Sequence, residues 1–314
     1  MGIKLKYLYS ESYISLYESK NFSRHINRAI YDMGRYYKDL LQIFNIGYSV
    51  QGIPILAIKF GCGNKKILVQ SAHHARECIT TILAMDQIRY IISLIEVDGC
   101  IEKMKISELL EYITFIYVPL VNPDGVDLVL NGLNSVSEPY KNKSYLDEKK
   151  FINWKANING VDLNKNYPTK YPATDVAIER GFENFPGYYS FSEPETQSLR
   201  CLTEKYKFDG TISYHSSGEE IYWYYNQTHK HRDFIIANEI SKETGYKLVP
   251  KEVSNTGSGY KDWFIEQYEK PGLTIEVSPY VGPVKVPIEN YNDIWQKNRN
   301  VPILFAQGVL CLVN

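Results

Sequence analysis

Residues 66–95 read KILVQSAHHARECITTILAMDQIRYIISLI, and the reading of this stretch decides the fold. Residues 66–71 form a short apolar run, the pattern of a buried strand. From about residue 78 to 95 the periodicity changes. Ile79, Leu83, Ile88, Ile91, Ile92 and Ile95 now recur at helical spacing. A strand thus hands over to a helix through Ala72-His73-His74-Ala75-Arg76-Glu77.

Outward from here the same alternation repeats. Ile26, Ile30, Met33, Tyr37, Leu40, Leu41 and Phe44 predict a helix over 24–44. Strand-like runs occupy 53–60 and 113–118, the second stopped by Pro119. Ser192-Glu193-Pro194-Glu195 predicts a helix start, with Ser192 as cap, Glu195 reaching back and Pro194 tolerated in the first turn. Strands are expected at 210–215 and 272–277, and helices at 232–245 and 293–312. Segment 132–190 is irregular and polar, as functional or mobile loops tend to be. Strands alternating with helices imply an α/β fold with helices on both faces of a sheet. Ligands of such sheets gather beyond the carboxyl ends of the strands.

The chain has 314 residues, enough for one large α/β domain, and no internal repeat or low-complexity linker divides it. Lys and Arg total 35 and Asp and Glu 36, which argues against a nucleic-acid or membrane-surface partner recruited by bulk charge. The five cysteines are scattered without metal-pair spacing and read as reduced thiols. The first 17 residues lack an apolar core and a small-residue cleavage site, so a cytoplasmic protein is expected. No stretch approaches the ~20 apolar residues of a membrane span.

Three segments carry candidate chemistry, each at or just after the end of a strand-like run. His74 and Glu77, three positions apart, can meet on one side of a turn, and an imidazole and a carboxylate suit zinc. A catalytic zinc needs a third protein ligand. On spacing alone His73 competes with His74, and the pair could equally be an ordinary helix N-terminus with an acidic first turn. His215 ends the apolar run 210–215 and precedes Ser216-Ser217-Gly218, which suits a strand opening into a cleft. Glu276 lies inside the apolar run Gly272–Val277, where burial would raise its pKa toward that of a general base.

Together these segments resemble the zinc carboxypeptidase A superfamily over roughly residues 25–314. His74-Ala75-Arg76-Glu77 is similar to its first metal-binding segment and Gly160-Val161-Asp162-Leu163-Asn164 to its substrate-binding segment. Tyr214-His215-Ser216 resembles the third-ligand segment and Thr274-Ile275-Glu276 the segment of the catalytic Glu. Within the superfamily, Val118–Leu128, Trp154–Asn157, Gly218–Trp223 and Gly259–Trp263 resemble bacterial γ-D-glutamyl-meso-diaminopimelate peptidases.

The resemblance implies one catalytic domain, residues 24–314, preceded by an N-terminal arm, 1–23. Its sheet would be mixed, mostly parallel and twisted, with helices on both faces. It implies one zinc ion per chain on His74, Glu77 and His215, with Glu276 as general base. Asp162 would accept the free N–H of His74 and so selects His74 over His73. Arg76 would line the cleft or serve a structural ion pair. Lys155 stands where the family has an oxyanion-steadying Arg, and Lys165, after Asn164, where an Arg grips a terminal carboxylate. Ser254 falls where a mobile Tyr is expected, with Tyr260 or Tyr280 as candidate substitutes. Lys261 aligns with the floor of the pocket for the residue after the cut, and Glu219 or Glu220 could meet an amine there.

The implied function is a zinc metallopeptidase that cuts the γ-D-glutamyl–meso-diaminopimelate bond of peptidoglycan stem peptides. Its substrates would be recycled muropeptides or wall precursors reached from inside a sporulating cell. The alternatives are a carboxypeptidase removing acidic C-terminal residues and an inactive peptide-binding module.

Overall fold

A computed structural model of the chain describes residues 12–169, 176–254 and 259–313. Eight strands make one sheet: β1 (Gln42–Tyr48), β2 (Pro54–Phe60), β3 (Lys65–Ser71), β6 (Ile113–Val118), β7 (Gly210–Ser216), β8 (Glu220–Tyr222), β9 (Lys247–Leu248) and β10 (Gly272–Val277). A separate two-stranded ribbon holds β4 (Cys100–Ile101) and β5 (Met104–Lys105). The order in the sheet is β1-β2-β6-β3-β7-β10-β8-β9. The central run β6, β3, β7 and β10 is parallel, while β1, β2 and β8 pair antiparallel with their inner neighbours. The fold is therefore a mixed, mostly parallel α/β sheet.

Helices cover both faces, which explains why the central strands read as unbroken apolar runs. They are α1 (Phe22–Tyr36), α2 (Ile79–Glu96), α3 (Ile106–Tyr112), α4 (Pro123–Asn131), α5 (Pro194–Tyr206), α6 (Lys230–Thr244), α7 (Tyr260–Tyr268), α8 (Tyr291–Asn298) and α9 (Val301–Leu312). Strand alternation sorts the core in two. Ile67, Val69, Ile212, Tyr214, Leu273, Ile275 and Val277 pack with α1, α2, α3, α6, α8 and α9 in the larger cluster. Leu68, Ile116 and Val118 pack on the other face with Leu199 and Leu202 of α5 and Trp263 and Phe264 of α7. By length and composition Ala75–Glu96 passes as a bilayer span, but most of it is buried inside the protein. The segment before α1 is also packed down, with Tyr17 and Phe22 fully buried.

Three local expectations change. The helix expected over 24–44 ends at Tyr36, and Gln42–Tyr48 becomes the edge strand β1. A tight turn makes the difference: Gly52 takes φ 82, and Ser49 N–H donates to the Ile53 carbonyl at 2.9 Å, so β1 folds back on β2. Phe44 then stacks on Tyr206, 6.0 Å between centroids, instead of extending a helical stripe. The helix expected over 293–312 breaks into α8 and α9, with Pro302 in the first turn of α9. At the start of α5, Ser192 does not cap and Glu195 does not reach back. Asn166 Oδ1 instead accepts from Glu193 N–H (3.3 Å) and from the Thr196 hydroxyl (2.7 Å). Glu195 turns inward to accept from Val50 N–H (3.2 Å) and Asn157 Nδ2 (3.2 Å).

Candidate active site

The chain leaves β3 through Ala72, which adopts φ 55, in the left-handed region. For a residue with a Cβ this costs roughly 1–3 kcal/mol. The turn is held open by fixed partners: Ala72 N–H donates to the Thr80 hydroxyl (3.0 Å), and Asn122 Nδ2 donates to the His73 carbonyl (3.0 Å). Ala75 N–H and Arg76 N–H donate to the carbonyls of Lys155 and Trp154, which brings the 154–155 segment alongside.

The turn delivers His74 and Glu77 to the carboxyl end of β7, where His215 waits. The candidate ligand atoms of these three residues lie within 4.8 Å of one another. His74 Nδ1 is 2.8 Å from Glu77 Oε1 and 3.1 Å from His215 Nδ1, and His215 Nδ1 is 3.0 Å from Glu77 Oε2. Donors set about 2.1 Å from one tetrahedral centre sit roughly 3.4 Å apart, so this spacing, a few tenths of an ångström tighter, is close to that of three ligands of one zinc ion. Burial alone would raise the Glu77 carboxyl, but the two imidazoles hold it well below the carboxylate range.

His74 Nε2 lies 3.3 Å from Asp162 Oδ1. That oxygen accepts Asn164 N–H, while Oδ2 accepts Asn184 N–H. Burial opposes its charge, yet His74 and then Lys155 hold the Asp162 carboxyl far below its ordinary value. His73 is excluded from the centre. Its Nε2 pairs with the Tyr167 hydroxyl at 3.1 Å, and its ring stacks 5.7 Å from that of His215. Burial, then His215 and His74, keep it neutral, so it packs beneath the ligands.

Glu276 stands beside this cluster, directly paired with His215 across the parallel β7–β10 ladder. Burial, and after it the charge of Glu77, raise its carboxyl to about 7, while His215 and Lys155 pull the other way. The half-buried Lys155 thus acts on both Asp162 and Glu276. On the antiparallel side, Glu276 is paired with Glu220 and Thr274 with Tyr222. These four positions are half-open, whereas Ile221 and Ile275 between them point into the larger core.

The remaining expected residues divide. Arg76 is largely buried, donates to the Asn153 carbonyl (2.7 Å) and lies 3.7 Å from Glu183 Oε2, which is the structural alternative. Asn164 Oδ1 accepts Tyr260 N–H at 3.1 Å, and half-buried Lys165 follows in the same turn. Glu219 lies in the bend before β8 at φ 53, and its carboxylate pairs with Lys297 of α8 at 2.6 Å. Lys261 neither reaches solvent nor stands alone. Its ammonium donates to the Tyr224 carbonyl (2.9 Å) and pairs with Asp262.

Tyr260 cannot replace a mobile tyrosine, because it is fully buried with its hydroxyl on Thr203 at 2.7 Å. Tyr280 is 75% exposed. The side chain of Ser254 lies outside the described residues. Sequence reasoning gave no role to Tyr222, whose hydroxyl donates to Glu220 Oε2 at 3.3 Å. Its signal was its place in the Gly218–Trp223 segment that carries the resemblance.

The chain is similar to known proteins in sequence and in fold. The profile of the zinc carboxypeptidase family matches residues 26–281. Gamma-D-glutamyl-L-diamino acid endopeptidase 1 of Lysinibacillus sphaericus is 33% identical over 262 residues, covering 82% of this chain and 65% of that protein. The chain thus spans less than two thirds of that relative's length. The structure of bovine thrombin-activatable fibrinolysis inhibitor in complex with tick carboxypeptidase inhibitor superposes with TM-score 0.76 at 18% identity, covering 95% of this chain and 99% of that one. Murein-tripeptide amidase MpaA from Escherichia coli O157 superposes with TM-score 0.53 at 20% identity, covering 84% and 97%. The last two likenesses are of fold.

Proposed function

We propose that this chain, which belongs to the zinc carboxypeptidase family, is a metallopeptidase that hydrolyses the γ-D-glutamyl–diamino acid bond of peptidoglycan stem peptides, with meso-diaminopimelate as the diamino acid. The reaction class rests on one observation, the convergence of His74, Glu77 and His215 beside the carboxylate of Glu276. The substrate rests on the Lysinibacillus sphaericus relative, whose name specifies a γ-D-glutamyl-L-diamino acid bond.

His74 Nδ1, Glu77 and His215 Nδ1 would hold zinc, which when bound polarises a carbonyl and makes water a better nucleophile near neutral pH. Asp162 fixes the His74 ring so that Nδ1 faces inward. Glu276, ionised, takes a proton from the attacking water and passes it to the leaving nitrogen. Lys155 supplies positive charge beside the developing oxyanion, as a point charge without an arginine's fork.

The reading of acidic C-terminal peptides as substrates depended on a free Lys261. With Asp262 against that ammonium, it carries less weight. The test is mass spectrometry of tripeptide and tetrapeptide stems incubated with zinc-loaded protein, with and without chelator. Chelator-sensitive release of a diaminopimelate-bearing fragment supports the proposal, and intact stems throughout would sink it.

A further inference from the structure

The ligand turn and the segment of Lys155 come from separate parts of the chain, and both must be held in place relative to the reacting centre. Part of their register is backbone. Ala75 and Arg76 N–H donate to the Lys155 and Trp154 carbonyls, while Lys155 and Ala156 N–H donate to the Phe182 carbonyl at 2.8 and 3.0 Å. One side chain joins the two segments as well. Asn122, at the start of α4, is fully buried. Its Nδ2 donates to the His73 carbonyl (3.0 Å) and to the Ala156 carbonyl (3.1 Å). The first carbonyl belongs to the residue before the ligand His74, the second to the residue after Lys155. Asn122 Oδ1 accepts Gly125 N–H at 3.0 Å, which fixes the amide with both of its donors toward the two carbonyls. Turned over, the amide would set oxygen against carbonyl oxygens and nitrogen against an N–H. The Asn122 backbone N–H also donates to the Ala72 carbonyl (3.1 Å), so the residue is tied to the ligand turn at two successive positions.

The space around this amide is filled. A Cβ added at Gly125 would lie 2.7 Å from the Ala156 oxygen and 2.7 Å from Asn122 Nδ2. His73 and Ala156 are themselves fully buried, so a lost donor leaves two carbonyls with no solvent to turn to. We propose that Asn122 is a positioning residue for the hydrolysis, a bracket that sets Lys155 relative to the His74 end of the metal site. It touches neither substrate nor metal. It acts through Lys155, whose ammonium must stand beside the developing oxyanion. It acts also through His74, whose ring must keep one nitrogen inward and the other on Asp162. Asparagine is the residue type this task requires. Aspartate has the same shape but, ionised, donates nothing, and serine offers one donor to two carbonyls. The inference rests on the peptidase reading above and on the role given there to Lys155.

The test is a double-mutant cycle on the full chain: Asn122→Asp, Lys155→Met and the two combined, assayed on the stem tripeptide at saturating zinc. Asn122→Asp should lower kcat by roughly tenfold or more and leave KM nearly unchanged. In the Lys155→Met background the same change should cost less than about threefold in kcat, because the group it positions is gone. Chelator competition, which needs no substrate, should show zinc held about tenfold more weakly by Asn122→Asp. Gly125→Ala serves as a second probe should thermal melts show that Asn122→Asp does not fold. It crowds the Ala156 carbonyl and leaves the amide in place, so its smaller loss of kcat should likewise vanish in the Lys155→Met background. Equal fold-losses in both backgrounds, for either variant, would make Asn122 an ordinary packing residue and overturn the inference. So would an unchanged zinc affinity in folded Asn122→Asp. If no γ-linked stem is cut but an α-linked peptide is, the proposed function falls. The same cycle run on that peptide, together with the chelator readout, still decides the part played by Asn122.

Discussion

The two faces of the sheet are built from the same strands and serve opposite ends. On the larger-core face, β7 and β10 present Ile212, Tyr214, Leu273, Ile275 and Val277. On the other face the intervening positions are Thr211, Ser213, His215, Gly272, Thr274 and Glu276. In β7 and β10, parity decides whether a side chain enters the larger core, and position near the carboxyl end decides whether one on the other face reaches the site. A rigid apolar face behind every reactive side chain limits how far it can drift, which matters where small displacements are costly.

Breaking the contrast at neighbouring residues gives the largest effects. Glu276→Gln keeps the shape and should lower kcat by roughly 10²–10⁴-fold, with an unchanged thermal midpoint. A kcat within tenfold of the parent would remove Glu276 as the base. Ile275→Ala, one residue away, should do the reverse. Denaturant titration should show a loss of about 2–5 kcal/mol, with kcat/KM per folded molecule close to the parent's. Should activity fall with stability, the two faces are coupled and the parity argument fails.

Asp162→Asn tests how the ligand is oriented. Loss of the carboxylate beside His74 Nε2 should weaken metal binding by about 10–100-fold, read by chelator competition. The smallest effect concerns pH. Glu276 must be ionised to act, so kcat/KM rises with pH and is lost as pH falls through its raised value of about 7. Lys155 holds that value down. Lys155→Met should therefore move the acid limb of the pH profile to higher pH. A shift to lower pH, or none, would contradict the placement of Lys155 beside the base.

Legibility followed the strength of the local pattern. The runs at 66–71, 113–118, 210–215 and 272–277 are strands, and α2 follows its isoleucine spacing. Elements whose identity depends on a partner were not legible. β1 is defined by pairing with β2, and β8 is three residues long and exists through β10. Asn122-Pro123-Asp124-Gly125 opens α4. Asn122 Oδ1 caps Gly125 N–H at 3.0 Å, and Pro123 occupies the first turn. For the site, spacing left His73 and His74 equivalent. The resemblance favoured His74, and the geometry turns His73 toward Tyr167.

From residue order alone came the alternation of strands and helices, the family resemblance and the candidate ligands and base. These properties are written in local periodicity and in short motifs whose chemistry is carried by residue type. The tertiary structure decided which carboxylates are free. Glu219 and Glu220 are indistinguishable in sequence, but Lys297 reaches one and not the other. Lys261 looks like an available cation until Asp262 and the Tyr224 carbonyl are found against it. The charge a cleft presents is a sum over neighbours brought together by folding, and no local pattern contains that sum.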